Sequence, residues 1–236
     1  MKCVILQPSF IPWRGYFHQI EKTDVFMFYD DVQYDDRGWR NRNRIKTVGG
    51  TKWLTVPVLS QGVQIAGTSI KEIRIAWDRP WGRKHWATIR HSYSQAPFFE
   101  RYRPLLESFY ERRDEYLADF TIDLTVALAG ELGLTKTRFL RSSELSVEGI
   151  KTDRLLALLA AVRADHYISG PSARGYIDEG KVRAAGVTLE YMSYDYPVYE
   201  QLHPPYDPQV SILDLLFMKG PEAGKHIWGE RPAEDA

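Results

Sequence analysis

The stretch KCVILQPSFIPWRGYFHQIEKTDVFMFY, residues 2–29, decides the fold. Lys2 to Leu6 is a short β-prone run without polar alternation, the pattern of a strand buried on both faces. Pro8 and Pro12 fix φ and remove donors, so the strand stops at Gln7 and a helix starts near Trp13, with Pro12 in a favoured entry position. Gly15 lies one turn inside that helix, where glycine costs about 1 kcal/mol relative to alanine. It reads either as a packing glycine or as a point of close approach, by a neighbouring strand or by an anion at the helix N-terminus. Val25 to Tyr29 is the next strand, which makes residues 2–29 a βαβ unit.

Working outward, Asn43 to Thr47 and Trp53 to Val58 read as a β-hairpin around the turn Gly49-Gly50, and SIKEIRIA, 69–76, as a further alternating strand. From Trp81 to Leu134 apolar residues recur at helical spacing, with Gly133 as a stop. The last third alternates again: strands at 137–140, 166–170 and 187–194, helices at 152–163 and 178–185. Such alternation predicts a Rossmann-like α/β fold, a mostly parallel central sheet with helices on both faces. It is expected to form one domain over residues 1–236, with approximately 81–134 as a helical subdomain. In such sheets ligands bind beyond the carboxyl ends of the strands, here Gln7-Pro8, Asp30-Asp31, Ser142-Ser143 and Ser169-Gly170.

Composition bounds the function. The 236 residues carry 31 basic and 31 acidic side chains, so whole-chain charge gives no signal for nucleic acid or an anionic membrane, and any phosphate site must be local. Cys3 is the sole cysteine, which excludes an internal disulfide and suits a reducing cytoplasm; its place in the first strand favours a buried hydrophobe over a nucleophile. There is no signal-peptide pattern and no apolar run of membrane-spanning length, so a cytoplasmic location is expected.

Three constellations bear on chemistry. In DDVQYDDRGWRNRNRIK, Arg37, Arg40, Arg42, Arg44 and Lys46 place five cations in ten residues, interleaved with Trp39, Asn41 and Asn43. A strand over 41–46 would put Arg40, Arg42, Arg44 and Lys46 on one face and Asn41, Asn43 and Ile45 on the other. That face either meets a phosphate- or carboxylate-bearing ligand, with tryptophan stacking on its ring, or is neutralised by Asp30, Asp31, Asp35 and Asp36. Asp30-Asp31 ends a buried strand; extended neighbours point to opposite sides, so the two are not expected to form a close carboxylate pair, and they read either as a ligand or arginine anchor or as turn chemistry. In YEQLHPPYDPQVSILDLLF, 199–217, prolines order a loop presenting Gln201, His203 and Tyr206 before a helix from Ser211 with Asp214 in a capping-box-like position. His203 is the candidate acid or base, or a surface histidine beside prolines. The other histidines are scattered without ligand-like pairing, so no metal site is expected. There is no GxSxG, GxxxxGK[ST], GxGxxG or HExxH motif.

The blocks QPSFIPWRGYF (7–17), DVFMFYDDVQYDDRGWRNRNRIK (24–46), WLTVPV (53–58), HYISG (166–170) and YEQLHPPYDPQVSILDLLF (199–217) together resemble the WbqC-like family of bacterial proteins, over nearly the whole chain. One departure is Met218, where members commonly carry asparagine. The resemblance implies a role in surface-polysaccharide or specialised-metabolite biosynthesis, with transfer of a glycine-type aminoacyl or other acyl group to an amino group. A weaker likeness sets WRGY, 13–16, where class I nucleotidyl transferases carry HxGH, which keeps an ATP-using ligase or nucleotidyl transferase as an alternative. A non-catalytic partner in a biosynthetic complex is the third. No cofactor and no oligomeric state is implied. The expected site is one cleft, with Asp30 and His203 as catalytic groups and Gln7, Trp13, Tyr16, Asp31, Trp39, Asn41, Arg42, Asn43, Ser169, Gly170 and Gln201 holding a small-molecule substrate.

Overall fold

The computed structural model describes residues 1–59 and 67–230; residues 60–66 and 231–236 of the expected domain lie outside it. Its elements are β1 (Lys2–Leu6), α1 (Arg14–Glu21), β2 (Val25–Phe28), β3 (Arg42–Thr47), β4 (Gly50–Thr55), α2 (Trp81–Tyr93), α3 (Phe99–Glu111), α4 (Leu117–Glu131), β5 (Arg138–Arg141), α5 (Lys151–Ala161), β6 (His166–Ser169), α6 (Glu179–Ala184), β7 (Thr188–Tyr191), α7 (Ile212–Lys219) and α8 (Lys225–Trp228).

Five strands form a fully parallel sheet in the order β5-β2-β1-β6-β7. Period-two alternation sends the strand side chains to two apolar faces. Val4, Phe26, Phe28 and Ile168 join the larger hydrophobic cluster with α1, α2, α3, α4, α7 and the β3–β4 hairpin, while Cys3, Ile5, Val25, Met27 and Tyr167 join a second cluster with α5 and α6. Helices therefore cover both faces, and burial on both sides explains why the central strands β1 and β2 are apolar runs, whereas the edge strands β5 (RFLR) and β7 (TLEY) are only partly buried and carry charge. The segment 81–134 is three helices whose buried faces belong to the same cluster as α1 and α7. Gly133, at φ +72°, ends α4 where a left-handed residue is needed. Counted among the parallel strands alone, the spatial order is 3-2-1-4-5, so strand order reverses between β1 and β6.

Three local expectations are corrected. Residues 69–76 do not form a strand: Ser69 and Glu72 complete a capping box around a short 3₁₀ turn, Ile70–Glu72, and isolated bridges alone remain, Gln33 with Ser69, Val58 with Ile75 and Arg74 with Tyr116. The hairpin register pairs Thr47 with Gly50, so its turn is Val48-Gly49, one residue earlier than expected, and its second strand is Gly50–Thr55. Ser211 caps α7 without a side-chain bond, and Asp214 does not reach back to it; the carboxylate turns inward to Tyr93 and Tyr199, whose hydroxyls donate at 2.8 Å each.

Candidate functional site

The turn 7–13 is rigid because its carbonyls are claimed from outside it. Asn43 donates through Nδ2 to the carbonyls of Phe10 (3.1 Å) and Ile11 (2.7 Å), clamping Ile11 at φ +42°. A β-branched residue in that region is strained and persists only where its surroundings over-determine it. The Tyr16 hydroxyl donates to the Gln7 carbonyl (3.1 Å), and Phe10 N–H to the Trp39 carbonyl (3.1 Å). Gly15 is explained by its own N-cap residue: a Cβ there would come within 2.3 Å of the Trp13 indole. The close approach is thus made by Trp13, not by a strand or a ligand.

This turn is one wall of a cleft of about 440 Å3 at the carboxyl ends of β1 and β6. Leu6, Ser9, Pro12 and Trp13 line it from the first strand and turn, Tyr16 and Gln19 from α1, Trp39, Arg40 and Asn43 from the basic segment, Gly170 and Ser172 from beyond β6, Tyr194 from beyond β7, and Gln209 from the proline loop. The volume suits a small molecule. Trp13 meets Tyr194 edge-on at 5.0 Å, so two aromatic walls are fixed against each other. Arg40 is the one charged group among the described lining residues. Its Nη1 donates to the Pro8 carbonyl (3.0 Å), its Nε is buried without a partner, and no described carboxylate forms an ion pair with it. Burial draws its pKa down, with Tyr16, Asp35 and Tyr34 pulling the other way. The Gln19 side chain is 4% exposed and its Oε1 is also unpartnered. Burial pushes the Tyr194 hydroxyl up to about 12 and Tyr16 higher, so both stay protonated hydroxyls near neutral pH. The cleft therefore offers a cation, neutral donors and ring faces.

Of the residues expected in the site, Trp13, Tyr16, Trp39, Asn43 and Gly170 line this cleft. The others are drawn elsewhere. Asp30 is fully buried, receiving Ser143 N–H (3.1 Å) and the Ser142 and Ser143 hydroxyls (3.2 and 2.9 Å). Asp31 pairs with Arg154 at 2.5 Å. Contrary to the reading from extended geometry, Asp30 and Asp31 share the Ser142 hydroxyl, which is 2.6 Å from Asp31 Oδ1: the chain has already left β2, so strand alternation does not apply. Gln7 contributes only its carbonyl to Tyr16. Asn41 donates to the Val56 carbonyl (2.9 Å), Ser169 accepts from the Tyr167 hydroxyl (3.2 Å), and Gln201 brackets Asp207 with both ends of its amide. His203 Nε2 lies 2.8 Å from the Ser92 carbonyl at the end of α2. Asp30 and His203 do not meet in the cleft.

Nor do four cations share one strand face. β3 begins only at Arg42, which leaves Arg40 free to turn into the cleft. Lys46 is 2% exposed because the proline loop covers that end of the hairpin, its Nζ donating at 2.5 Å to the Pro205 carbonyl. Arg42 and Arg44 remain outward, Arg42 donating to the carbonyls of Arg37 and Gly38, Arg44 to Gln209 Oε1 at 2.8 Å. Of the aspartates expected to neutralise this face, Asp30 and Asp31 are engaged with Ser142, Ser143 and Arg154, whereas Asp35 acts on Arg40 through its charge without forming an ion pair. Arg40, Gln19 and Tyr194 were missed as site residues. Gln19 had a signal, since positions 13, 16 and 19 fall on one helical face; Tyr194 had none, because the loop after β7 carries no periodicity.

No helix among the described residues is long and apolar enough to cross a membrane. No solved structure matches the chain. A protein of Mycobacterium tuberculosis (strain ATCC 25618 / H37Rv), uncharacterized protein Rv1507c, is 39% identical over 230 residues, covering 96% of this chain and 97% of its own. The model of the WbqC-like protein family matches residues 7–226. A chain matched over that span, with its Gln7–Phe17 turn forming the wall of the cleft, belongs to the WbqC-like family.

Proposed function

We propose that the cleft between β1 and β6 is the substrate site of a biosynthetic enzyme that forms an amide, transferring an acyl or aminoacyl group from an activated donor to the amino group of a ring-bearing acceptor. The observation that carries this reading is Arg40: an arginine with a buried, unpaired Nε and no described carboxylate partner, in a ring-lined cleft at the reversal of strand order. A guanidinium in that setting is completed by a carboxylate or phosphate from outside. In the transfer, the amine nitrogen bonds to the acyl carbon, the bond to the leaving group breaks, and the amine proton departs with that group. The protein then supplies orientation of the two reactants and donors for the developing oxyanion, for which Arg40 and the Ser9 and Ser172 hydroxyls are the candidates. Surface-polysaccharide and specialised-metabolite pathways, the setting of the family, contain such amines.

A second reading, a non-catalytic binding partner in a biosynthetic complex, is favoured by one observation: the described residues lining the cleft include no carboxylate, imidazole, lysine or cysteine to act as a base. The two separate by experiment. A thermal-shift screen of amino acids, coenzyme A thioesters, nucleotides and amino sugars identifies the ligand, since saturation at about 100 times the dissociation constant stabilises by about 2.7 kcal/mol. Mass spectrometry of the binders incubated in pairs then seeks an amide product. An amide lost in Arg40→Gln supports the enzyme. Ligand binding without product over any donor and acceptor pair favours the partner reading, and a wild-type protein that binds no anion overturns both.

A further inference from the structure

Outside the cleft, the hairpin carries an arrangement that folding alone does not call for. Trp39 and Trp53 lie side by side, ring centroids 5.1 Å apart, yet 41% and 45% exposed. Arg42 and Arg44 stack on them, the Arg42 guanidinium 4.9 Å from the Trp53 ring and Arg44 5.7 and 5.6 Å from Trp39 and Trp53. Leu54, the next residue, and Val56, three residues on, are buried and face inward, so Trp53 stands with Thr51 and Thr55 on the outward face, where a polar residue would serve a hairpin as well. Trp39 also lines the mouth of the cleft, and its chain neighbour Arg40 lies within it. The aromatic platform and the Arg40 guanidinium, whose Nε is buried, are thus one continuous surface.

We infer that this surface binds a nucleoside diphosphate moiety, the base stacked on the Trp39–Trp53 platform and the diphosphate directed to Arg40, so that one of the two reactants is nucleotide-linked. The inference rests on the reading of the cleft as the substrate site and names the class of compound it takes. Every base has a π-face that an indole accepts, which makes an exposed tryptophan pair flanked by arginines a base platform that does not discriminate sequence. Charge agrees. Arg42 gives its hydrogen bonds only to backbone carbonyls, and the nearest described carboxylate to Arg44 is Asp207, at 4.0 Å. Arg42 is therefore without a described carboxylate partner and Arg44 has only the long contact with Asp207, so both can turn charge toward a phosphate. The arrangement also answers for the modest size of the cleft: its volume need hold only the anion and the reacting end, because the base stays outside.

Calorimetric titration of the full chain with UDP, ADP and inorganic pyrophosphate tests this. Both nucleotides are expected to bind at least ten times more tightly than pyrophosphate, the scale of one stacked base. Trp53→Ala should bring the nucleotides down to the pyrophosphate value without moving the melting temperature, and Trp53→Phe should restore most of the difference. Arg40→Gln should weaken all three. Nucleotides that bind no better than pyrophosphate, or a preference that survives Trp53→Ala, overturn the platform. If pyrophosphate binding still depends on Arg40 in that case, the cleft stands and the base site falls. If none of the three phosphates binds, the nucleotide assignment is wrong, and the cleft is then judged on the carboxylate ligands of the thermal-shift screen.

Discussion

Asp214 and Arg40 are both charged groups drawn into the protein, and the protein completes one and leaves the other open. Asp214 is fully buried, accepts the hydroxyls of Tyr93 and Tyr199, and feels the charge of Lys46, which is itself bonded to the proline loop. Tyr93 in turn accepts the Lys46 N–H at 2.9 Å, so α7, α2, the hairpin and the loop before α7 are tied into one network. Arg40 has one backbone carbonyl and a buried, unpaired Nε. A buried polar group left unpaired is costly, and such groups are kept where a ligand completes them. The same test applies at the strand ends: Asp30 is closed off by Ser142 and Ser143 and reads as a bolt between β2 and β5, whereas the end of β1 opens on the cleft.

The sharpest way to break this comparison is to remove each charge in turn. Asp214→Ala strands two buried tyrosine hydroxyls and should cost about 3–5 kcal/mol of stability. At roughly 2–4 °C per kcal/mol for a chain of this size, that is a fall in Tm of about 10 °C, measurable by calorimetry. An Asp214→Ala protein with unchanged Tm but lost activity would place Asp214 with the site and defeat the contrast.

Acid titration sharpens the same point through His85, which packs between Phe10, Trp81 and Tyr110. Burial lowers its pKa to about 4, opposed by a hydrogen bond to the Thr55 backbone. Because the folded value lies below the unfolded one, the unfolded chain takes up the proton first, and stability is lost as pH falls from about 6.5 towards 4. The full window is worth about 3 kcal/mol. Asp214 acts with opposite sign: burial raises its pKa, so protonation at low pH favours the folded state. The difference between the wild-type and His85→Gln profiles of denaturation free energy against pH isolates the histidine, and parallel profiles would contradict its assignment as a buried neutral ring.

Arg40→Gln should behave as the inverse of Asp214→Ala. With no ion pair to lose and a desolvated charge removed, Tm should hold or rise, while affinity for an anionic ligand falls about 100-fold, or about 2–3 kcal/mol. A destabilised variant that still binds would make Arg40 a structural group.

What was legible in the sequence follows the same division. The βαβ unit, the parallel sheet and the hairpin could be read because apolar runs, prolines and paired glycines act locally. SIKEIRIA was misread because alternation and a capping box occupy the same eight residues, and the Ser69–Glu72 contact wins. The site was half legible. Trp13, Tyr16 and Gly170 come from segments whose placement follows from β1 and β6, while Trp39 and Asn43 come from the basic segment that bonds back to the turn after β1. The inward turn of Arg40 and the engagement of Asp30 with Ser142, 112 residues away, depend on tertiary contacts that one-dimensional periodicity does not carry.

The smallest effect is the most diagnostic of how the cleft is built. Alanine at position 15 should gain up to about 1 kcal/mol from helix propensity, less than in a helix interior because Gly15 is the second residue of α1. Its Cβ, however, would meet the Trp13 indole at 2.3 to 2.7 Å, closer than real contacts allow. Those atoms belong to the far end of a side chain that borders a cleft, so the ring can swing away at little cost to folding, and Tm should stay within about 2–4 °C of the wild type. The ring cannot swing and still keep its edge-on contact with Tyr194, so one wall of the site is lost and ligand affinity should drop about ten-fold. Equal affinity in Gly15→Ala would mean that the Trp13 wall is not part of the binding surface. A loss of stability comparable to Asp214→Ala would mean instead that Trp13 is core, and the boundary drawn between completed and open regions would have to move outward past the first turn of α1.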